Sequence, residues 1–565
     1  MAQSHNTSES ESFIITRIIT SYQFAVTYFK RNKFNAAKKK FIEVLKPIMS
    51  KPHIRSLHQN NICFIKTEIL DSIYHIGLIY LNDLHFIEAT AILQYCANFC
   101  TKYEISDPHF FLSKAYSIEK YFLESVGVFV LDDRSNLSDQ YNIYRTELKN
   151  IRYQTAQQLN DIGNIRERST LIEALYGKCM NLFINNHNNG LIQKIFIDCF
   201  NQIKNNNDLC DYSIIALGSF ARGTATPWSD IEYAILVIDN HDKYKQFFRS
   251  LTTLFHIKII NLGEGFLRSC GIEAFNNFKT GLDLDDWFWD DVTRNGLSID
   301  GAIFFACKTP LGRQNYQALI QQTIVSMPNY ELIATPSSMA KFQQEQCWSE
   351  TDPNLVQVLR SVKLIYGSQS LLDEYRTIIR NTVSLDIVRE RTVKILTKDI
   401  EIYQLRLGGD VDRKLINVKY DLYRLIDRII NGLENYFDIN VNSENKHSNV
   451  TSWNILDCFD NNNLLREALS IATELRLKTC IDITKDLMQI SATDIDTIQH
   501  FYRIMLPVQE LVKKFCESYP KFCGYDPNTF TIKTLFKNES LYVCNTETIN
   551  LINARLDIYN NNSLS

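Results

Sequence analysis

The chain has 565 residues, 45% of them hydrophobic, and its 60 basic and 64 acidic residues leave a formal charge of −4. That length suggests about three or four domains, and the near-balanced charge supplies no global field for a polyanion, which weakens a tRNA or DNA substrate without excluding one. The N-terminal MAQSHNTSESESF is polar and acidic, unlike a secretory leader, and no run reaches the ~18 apolar residues of a membrane span. The 14 cysteines are scattered with no Cys-x-x-Cys pair, so the expectation is a cytoplasmic protein with buried thiols rather than disulfides or zinc.

Residues 1–165 read as helical repeats. Within 73–97, Ile73, Ile76, Gly77, Tyr80, Phe86, Ala89 and Leu93 fall at small-and-large spacings that resemble a tetratricopeptide (TPR) repeat. Residues 22–45 echo it through Tyr22, Ala25, Phe29, Phe34, Ala37 and Phe41, with a turn that reads one residue shorter. PHFFLSKAYSIEKYFLES at 108–125 reads as the start of a third unit. One such unit cannot cover its own apolar face, so the units must stack. They offer either a concave surface for a peptide or protein partner, or a scaffold packed on the next domain.

Residues 166–315 read as the catalytic domain. Two helical segments, at 168–184 and 191–203, lead into SIIALGSFARGTATPWSDIEYAILV at 213–237. Here an apolar run (Ile214, Ile215, Ala216, Leu217) stops at Gly218-Ser219, a small polar connection follows, and Asp230-Ile231-Glu232 opens a second apolar run. Side chains at i and i+2 of a strand share a face, so Asp230 and Glu232 converge on one point. A divalent metal that carries a nucleoside triphosphate needs such a pair, because Mg²⁺ takes oxygen ligands and is content with one or two carboxylates plus phosphate oxygens. Gly218 allows close backbone approach to an anion. Ser219 reads as the opening of a helix with N–H groups for a phosphate, and Arg222 lies one turn in.

The pattern hydrophobic-Gly-Ser, ten residues, Asp-hydrophobic-Glu-hydrophobic resembles the nucleotidyltransferase superfamily (polymerase-β-like). GSFARGTATPWSDIEY looks most like the branch containing protein-PII uridylyltransferase and glutamine synthetase adenylyltransferase. The resemblance implies that Gly218 and Ser219 hold the triphosphate and that Asp230 and Glu232 bind metal. It also implies a third carboxylate on a later strand, as general base or metal ligand. Asp300, inside the apolar run of GLSIDGAIFFACKTPLGR, is the favoured candidate, since an acid there is costly unless paired or metal-bound. Asp283, Asp285, Asp286, Asp290, Asp291 and Glu264 are its rivals. Lys308 and Arg313 follow Asp300 and read either as phosphate or base contacts or as solvated loop charges. Two departures limit the resemblance: the second acid is Glu rather than Asp, and neither a histidine-aspartate hydrolase pattern nor a clear amino-acid-sensing pair follows, so sensing through PII is not implied.

Residues 316–565 read as mostly helical, and the resemblance implies that they form a helical substrate-side domain. Thr335-Pro336-Ser337 is a helix cap, and later segments carry apolar residues at three- and four-residue spacing. Lys419, Arg424, Asp427 and Arg428 lie at helical spacings and are candidates to face the active-site cleft. The fold class expected is thus α + α/β: TPR-like helices, a small mixed-sheet nucleotidyltransferase domain and a helical bundle. The expected activity is transfer of an NMP from an NTP, with Mg²⁺ or Mn²⁺, to an acceptor hydroxyl on a protein recruited by the repeats. The alternatives are a small-molecule or RNA acceptor, and a non-catalytic scaffold with a nucleotide-sensing domain.

Overall fold

Helices fill the N-terminal third of the chain. The structure, a computed structural model, describes residues 11–50, 59–128, 134–162, 165–204, 210–264, 267, 272, 274–275, 292, 296–300, 307–313, 317–320, 323–326, 328–405, 415–438, 451–457, 463–482, 487–489 and 492–518. Asp283, Asp285, Asp286, Asp290 and Asp291 lie outside these residues, as does everything after 518.

Helices α1 (Glu11–Lys30) and α2 (Phe34–Ser50) pair, as do α3 (Gln59–Asn82) and α4 (Phe86–Tyr103). The two connecting turns share one construction. Each has a left-handed middle residue, Asn32 (φ 56°) or Leu84 (φ 63°). Each ends on an N–H that donates back to a tyrosine carbonyl, Lys33 to Tyr28 and His85 to Tyr80, both at 2.9 Å. The turns therefore have equal length, and Tyr28 rather than Phe29 is the counterpart of Tyr80. The shorter turn expected from the sequence is a register error, because adjacent aromatics fit the same spacing. Helix α5 (Pro108–Ser125) packs on α4, and the long α6 (Arg134–Asn160) then leads away.

Helices α7 (Ile165–Phe183) and α8 (Leu191–Ile203) precede the sheet. Strand β1 (Tyr212–Ala216) runs into the short helix α9 (Gly218–Arg222), followed by β2 (Asp230–Ile231), β3 (Tyr233–Val237) and helix α10 (Asp242–Ile260). Next come β4 (Ser298–Ile299), a hairpin of β5 (Gln317–Ile320) and β6 (Thr323–Ser326), and β7 (Ile333–Ala334). Helices α11 (Pro336–Gln344), α12 (Gln346–Thr351) and α13 (Pro353–Val358) separate β7 from β8 (Lys363–Gly367). Thr335 caps α11, its Oγ1 accepting from Ser338 N at 3.2 Å, with Pro336 in the first turn.

The sheet is mixed, in the order β7-β3-β1-β8. Strand β1 is antiparallel to both β3 and β8, and β3 is parallel to β7. Strands β7 and β8 come from beyond residue 315, so the sheet reaches past the expected end of the catalytic segment. Residues 230–231 leave this sheet to pair in parallel with β4, Asp230 opposite Ser298 and Ile231 opposite Ile299. Asp300 N then donates to Ile231 O at 3.1 Å.

The remaining helices are α14 (Gln369–Thr382), α15 (Leu385–Ile402), α16 (Arg424–Phe437), α17 (Ser452–Asp457), α18 (Leu464–Ile481) and α19 (Ala492–Ser518). A π-helical turn, Lys419–Tyr423, leads into α16, and β9 (Leu415–Asn417) pairs with β10 (Leu487–Gln489). Helix α7 belongs to this bundle's core: Leu175, Tyr176 and Cys179 pack among its apolar residues, and Tyr176 Oη donates to Thr473 O at 3.1 Å. Among the described residues no helix is long and apolar enough to cross a membrane. No disulfide joins the described cysteines, and Cys96, Cys100, Cys179, Cys199 and Cys307 are buried thiols.

The end of α10 is joined to the N-terminal helices by polar contacts. Gln94 Nε2 donates to Asn261 Oδ1 at 2.8 Å, Asn98 Nδ2 to Gly263 O at 3.1 Å, and Arg145 Nη2 to Asn261 O at 2.7 Å. His256, on the same helix, is buried with no hydrogen-bond partner for Nε2, and burial pushes its imidazole down to about 3. In the unfolded chain it titrates near 6.5. His256 therefore contributes stability that is complete above about pH 6.5 and is lost as pH falls through about 3. Urea midpoints of wild type should fall across that window, and His256→Phe should flatten this part of the pH profile.

Candidate active site

The turn after β1 and the residues of β2 face each other across a cleft lined by Gly218, Ser219, Arg222, Ser229, Asp230, Glu232 and Lys308. Asn354, Val358, Lys419, Tyr423, Arg424, Asp427, Arg428 and Arg476 close its other side. Its interior volume is about 110 Å³, below the roughly 300–1,000 Å³ of whole-ligand pockets. An interior of that size takes groups as small as a phosphate rather than a whole ligand. Six of the lining side chains are cationic and three are carboxylates, so the cleft is locally basic in a chain of net charge −4.

Gly218 has φ +55°, and a Cβ there would overlap the Glu232 carboxylate. The close approach expected of this glycine is thus made first to a carboxylate of the chain itself. Gly218→Ala forces a left-handed alanine, costing roughly 1–2 kcal/mol, and displaces Glu232. Its expected effect is a lowered melting temperature together with loss of nucleotide binding, read by thermal shift with and without NTP.

Glu232 accepts from Lys308 Nζ at 3.0 Å. Burial alone would raise its pKa, but the Lys308 charge and hydrogen bond, then Arg222 and Arg424, hold it below the ordinary carboxylate value. Asp230 opens into the cleft and accepts a hydrogen bond from Ser298 Oγ. Enclosure raises its pKa, with Glu232 acting the same way, against the Ser298 bond and Lys419. Asp300 lies beneath, buried, and its Oδ2 accepts from Lys308 N at 2.9 Å. Burial pushes its carboxyl well above the ordinary value, and the charges of Glu232 and Asp230 push it further. Three carboxylates are thus held within electrostatic reach of one another.

Arg222 is buried and its Nη2 lies 3.3 Å from Asp427 Oδ1. Tyr423 Oη, 3.1 Å from the same oxygen and 3.2 Å from Thr224 Oγ1, completes a link from the turn to α16. Asp427 stays below the ordinary carboxylate value: burial opposes this, and Arg222, Arg428, Arg424 and Arg476 outweigh it. The buried Nε atoms of Arg222, Arg424 and Arg428 have no hydrogen-bond partner.

Of the residues singled out in the sequence, Gly218, Ser219, Arg222, Asp230, Glu232, Lys308, Lys419, Arg424, Asp427 and Arg428 meet in this cleft, with Asp300 behind them. Two others do not. Glu264 pairs with Arg152, and Arg313 pairs with Asp352. Arg476, Asn354 and Ser298 were not anticipated. Arg476 sits in an ordinary amphipathic pattern, and nothing local marks it.

The oxygen donors suit a hard divalent cation such as Mg²⁺, and mutual repulsion leaves room for its charge. Among the described residues no group of three or more His, Cys, Asp or Glu side chains is already drawn together as a metal site. Asp230 and Glu232 line one cleft with the Gly218-Ser219 turn.

Strand β1 thus gives way to a short helix at Gly218-Ser219, faced by two acids and ringed by cations, an arrangement whose donors suit phosphate groups. Residues 196–288 match the family model for the nucleotidyltransferase domain, so the chain carries such a domain over that stretch. The match spans Gly218 to Glu232 and stops before Asp300 and Lys308. No curated protein matches the chain.

Proposed function

We propose that this protein is a metal-dependent nucleotidyltransferase that moves an NMP from an NTP to a hydroxyl on a protein, releasing pyrophosphate. The carrying observation is Asp230 and Glu232 facing the Gly218-Ser219 turn inside a cleft with twice as many cations as carboxylates. A divalent ion, Mg²⁺ or Mn²⁺, held by Asp230 and Glu232 with Asp300 behind would neutralise triphosphate charge.

Gly218 and Ser219 hold the triphosphate, and Arg222, Lys308, Lys419 and Arg424 orient it by charge-assisted contacts. Asp300, ionised, takes the acceptor proton. The acceptor oxygen bonds the α-phosphorus as the bond to the β-phosphate oxygen breaks, and pyrophosphate leaves. Catalysis on this reading is mostly positioning and electrostatic stabilisation. The resemblance to uridylyl- and adenylyltransferases makes UTP and ATP the first nucleotides to try. The helical hairpins, fixed to α10, supply a surface for recruiting the protein acceptor.

The test incubates the purified protein with Mg²⁺ or Mn²⁺ and each α-³²P-labelled NTP, alone and with lysate, beside an Asp230→Ala/Glu232→Ala control. A labelled protein band that needs both acids is expected. Label in RNA or a small molecule would move the acceptor class, and metal-dependent nucleotide binding without label anywhere would favour a sensing scaffold.

A further inference from the structure

One residue lining the active-site cleft has the wrong charge for a polyanion and no place in the catalytic account. Asp427 is carried by α16 rather than by the segment that holds Asp230 and Glu232. By charge alone it repels phosphate. Its side chain is 3% exposed, and that of Arg222, which reaches it from the end of α9, is 8% exposed. Arg222 Nη2 donates to Asp427 Oδ1 at 3.3 Å.

The contact belongs to a larger grip on the turn after α9. Tyr423 Oη lies 3.1 Å from the same Asp427 oxygen and 3.2 Å from Thr224 Oγ1. With the tyrosine proton on Asp427, the Thr224 hydroxyl can donate to the tyrosine oxygen. Arg222 and Thr224 flank Gly223, whose φ of +74° turns the chain out of the helix. A Cβ on Gly223 would stand 3.0 Å from Thr451 Cγ2, so a third residue of the bundle closes over the same turn. The π-helical turn supplies the spacing. Lys419, Tyr423 and Asp427 follow at four-residue steps through it and into α16, and all three line the cleft. Such turns recur at functional sites.

We infer that Asp427, steadied by Tyr423, is a positioning residue that fixes the Arg222 guanidinium for the triphosphate and acts on phosphate binding through that arginine; this rests on the nucleotidyltransferase reading above. A free arginine side chain gives up rotational freedom when it meets a ligand. One already fixed by a buried carboxylate has given it up beforehand, so more of its attraction appears as affinity. Fixing the guanidinium must then gain more than the carboxylate loses by repulsion. These two effects have opposite signs, which makes the role measurable.

The test titrates the full chain with inorganic tripolyphosphate and Mg²⁺ in a calorimeter, with a thermal melt of each variant. Asp427→Leu keeps the side-chain volume and removes the acceptors. It should weaken binding by about fivefold or more, although the cleft gains net positive charge. Asp427→Asn keeps an oxygen for Arg222 and Tyr423 and should bind at least as tightly as wild type. In an Arg222→Met background the sign should change: no guanidinium is left to hold, and Asp427→Leu only removes repulsion, so binding should be equal or tighter. That double variant removes the buried pair together and strands no charge. If Asp427→Leu alone does not fold, Tyr423→Phe, which loses one hydroxyl, replaces it and should weaken binding by about twofold or more. If Arg222→Met binds too weakly to titrate, the contrast between Asp427→Asn and Asp427→Leu decides.

No binding by wild type, tighter or unchanged binding by the deciding variant, equal weakening in both backgrounds, or failure of Asp427→Asn to restore binding overturns the inference. None of these readouts needs transfer. The expected pattern upholds the role of Asp427 even if no label reaches any acceptor, and then the transferase reading alone falls. Label transfer, measured separately with the Asp230→Ala/Glu232→Ala control, judges that reading.

Discussion

Asp230→Asn should abolish nucleotidyl transfer while leaving the fold as stable as wild type, or slightly more so. The amide keeps the shape of the side chain and can still accept from Ser298 Oγ, the hydrogen bond that Asp230 makes. It loses the charge on which the proposed chemistry depends. Removing a single electrostatic contact to a transition state costs about 10²–10³-fold in rate, and a metal-binding carboxylate should stand at the upper end of that range or above. Stability moves the other way for a stated reason. Asp230 is one of three neighbouring carboxylates; lost solvation within the cleft and the Glu232 charge raise its pKa, and burial with the charges of Glu232 and Asp230 raises that of Asp300. Neutralising one member relieves that repulsion in the metal-free protein. The check pairs label transfer from an α-³²P NTP with a urea titration. A variant that still transfers nucleotide at a comparable rate removes Asp230 from the mechanism. A variant that unfolds gives it a structural role instead.

Lys258→Met should destabilise the whole N-terminal half. Lys258 is 1% exposed, and its Nζ lies 2.6 Å from Glu119 Oε1, itself 0% exposed, and 3.0 Å from Asp198 Oδ2. Tyr141 Oη also donates to Glu119. Burial alone would lower the lysine's pKa, but the two carboxylates reverse this and keep it raised and charged. Removing one partner of such a group leaves a buried charge uncompensated, at a cost of about 3–5 kcal/mol. The cluster joins α5 of the helical hairpins to α8 and α10 of the active-site domain, so its loss should loosen the junction as well as the core. Adding Glu119→Gln to Lys258→Met should recover much of the loss, because the second substitution removes the stranded charge. A single variant with an unchanged urea midpoint would mean that water or rearrangement already compensates the charge.

Much of the segment around the cleft was legible because its signals are local. The stop of an apolar run at Gly218-Ser219, and the i, i+2 spacing of Asp230 and Glu232, depend only on strand geometry within a few residues. Asp300 stood out for the same kind of reason, since an acid inside an apolar run must be answered by something nearby, and Lys308 N answers it. The helical hairpins were visible through their spacing, yet their register was misread, because Tyr28 and Phe29 fit a pattern that cannot distinguish neighbours. The chain by itself thus determined the local elements and which acids share a face. Only the tertiary structure decided the partners. The pairing of Arg222 with Asp427 spans 205 residues, that of Lys308 with Glu232 spans 76, and β8 completes the sheet from beyond three intervening helices. Of the six cations that line the cleft, Arg222, Lys308, Lys419, Arg424 and Arg428 were candidates from the sequence and Arg476 was not; composition hid their convergence, since a net charge of −4 sums over the whole chain, whereas electrostatic attraction acts over a few ångströms between side chains that the fold alone brings together.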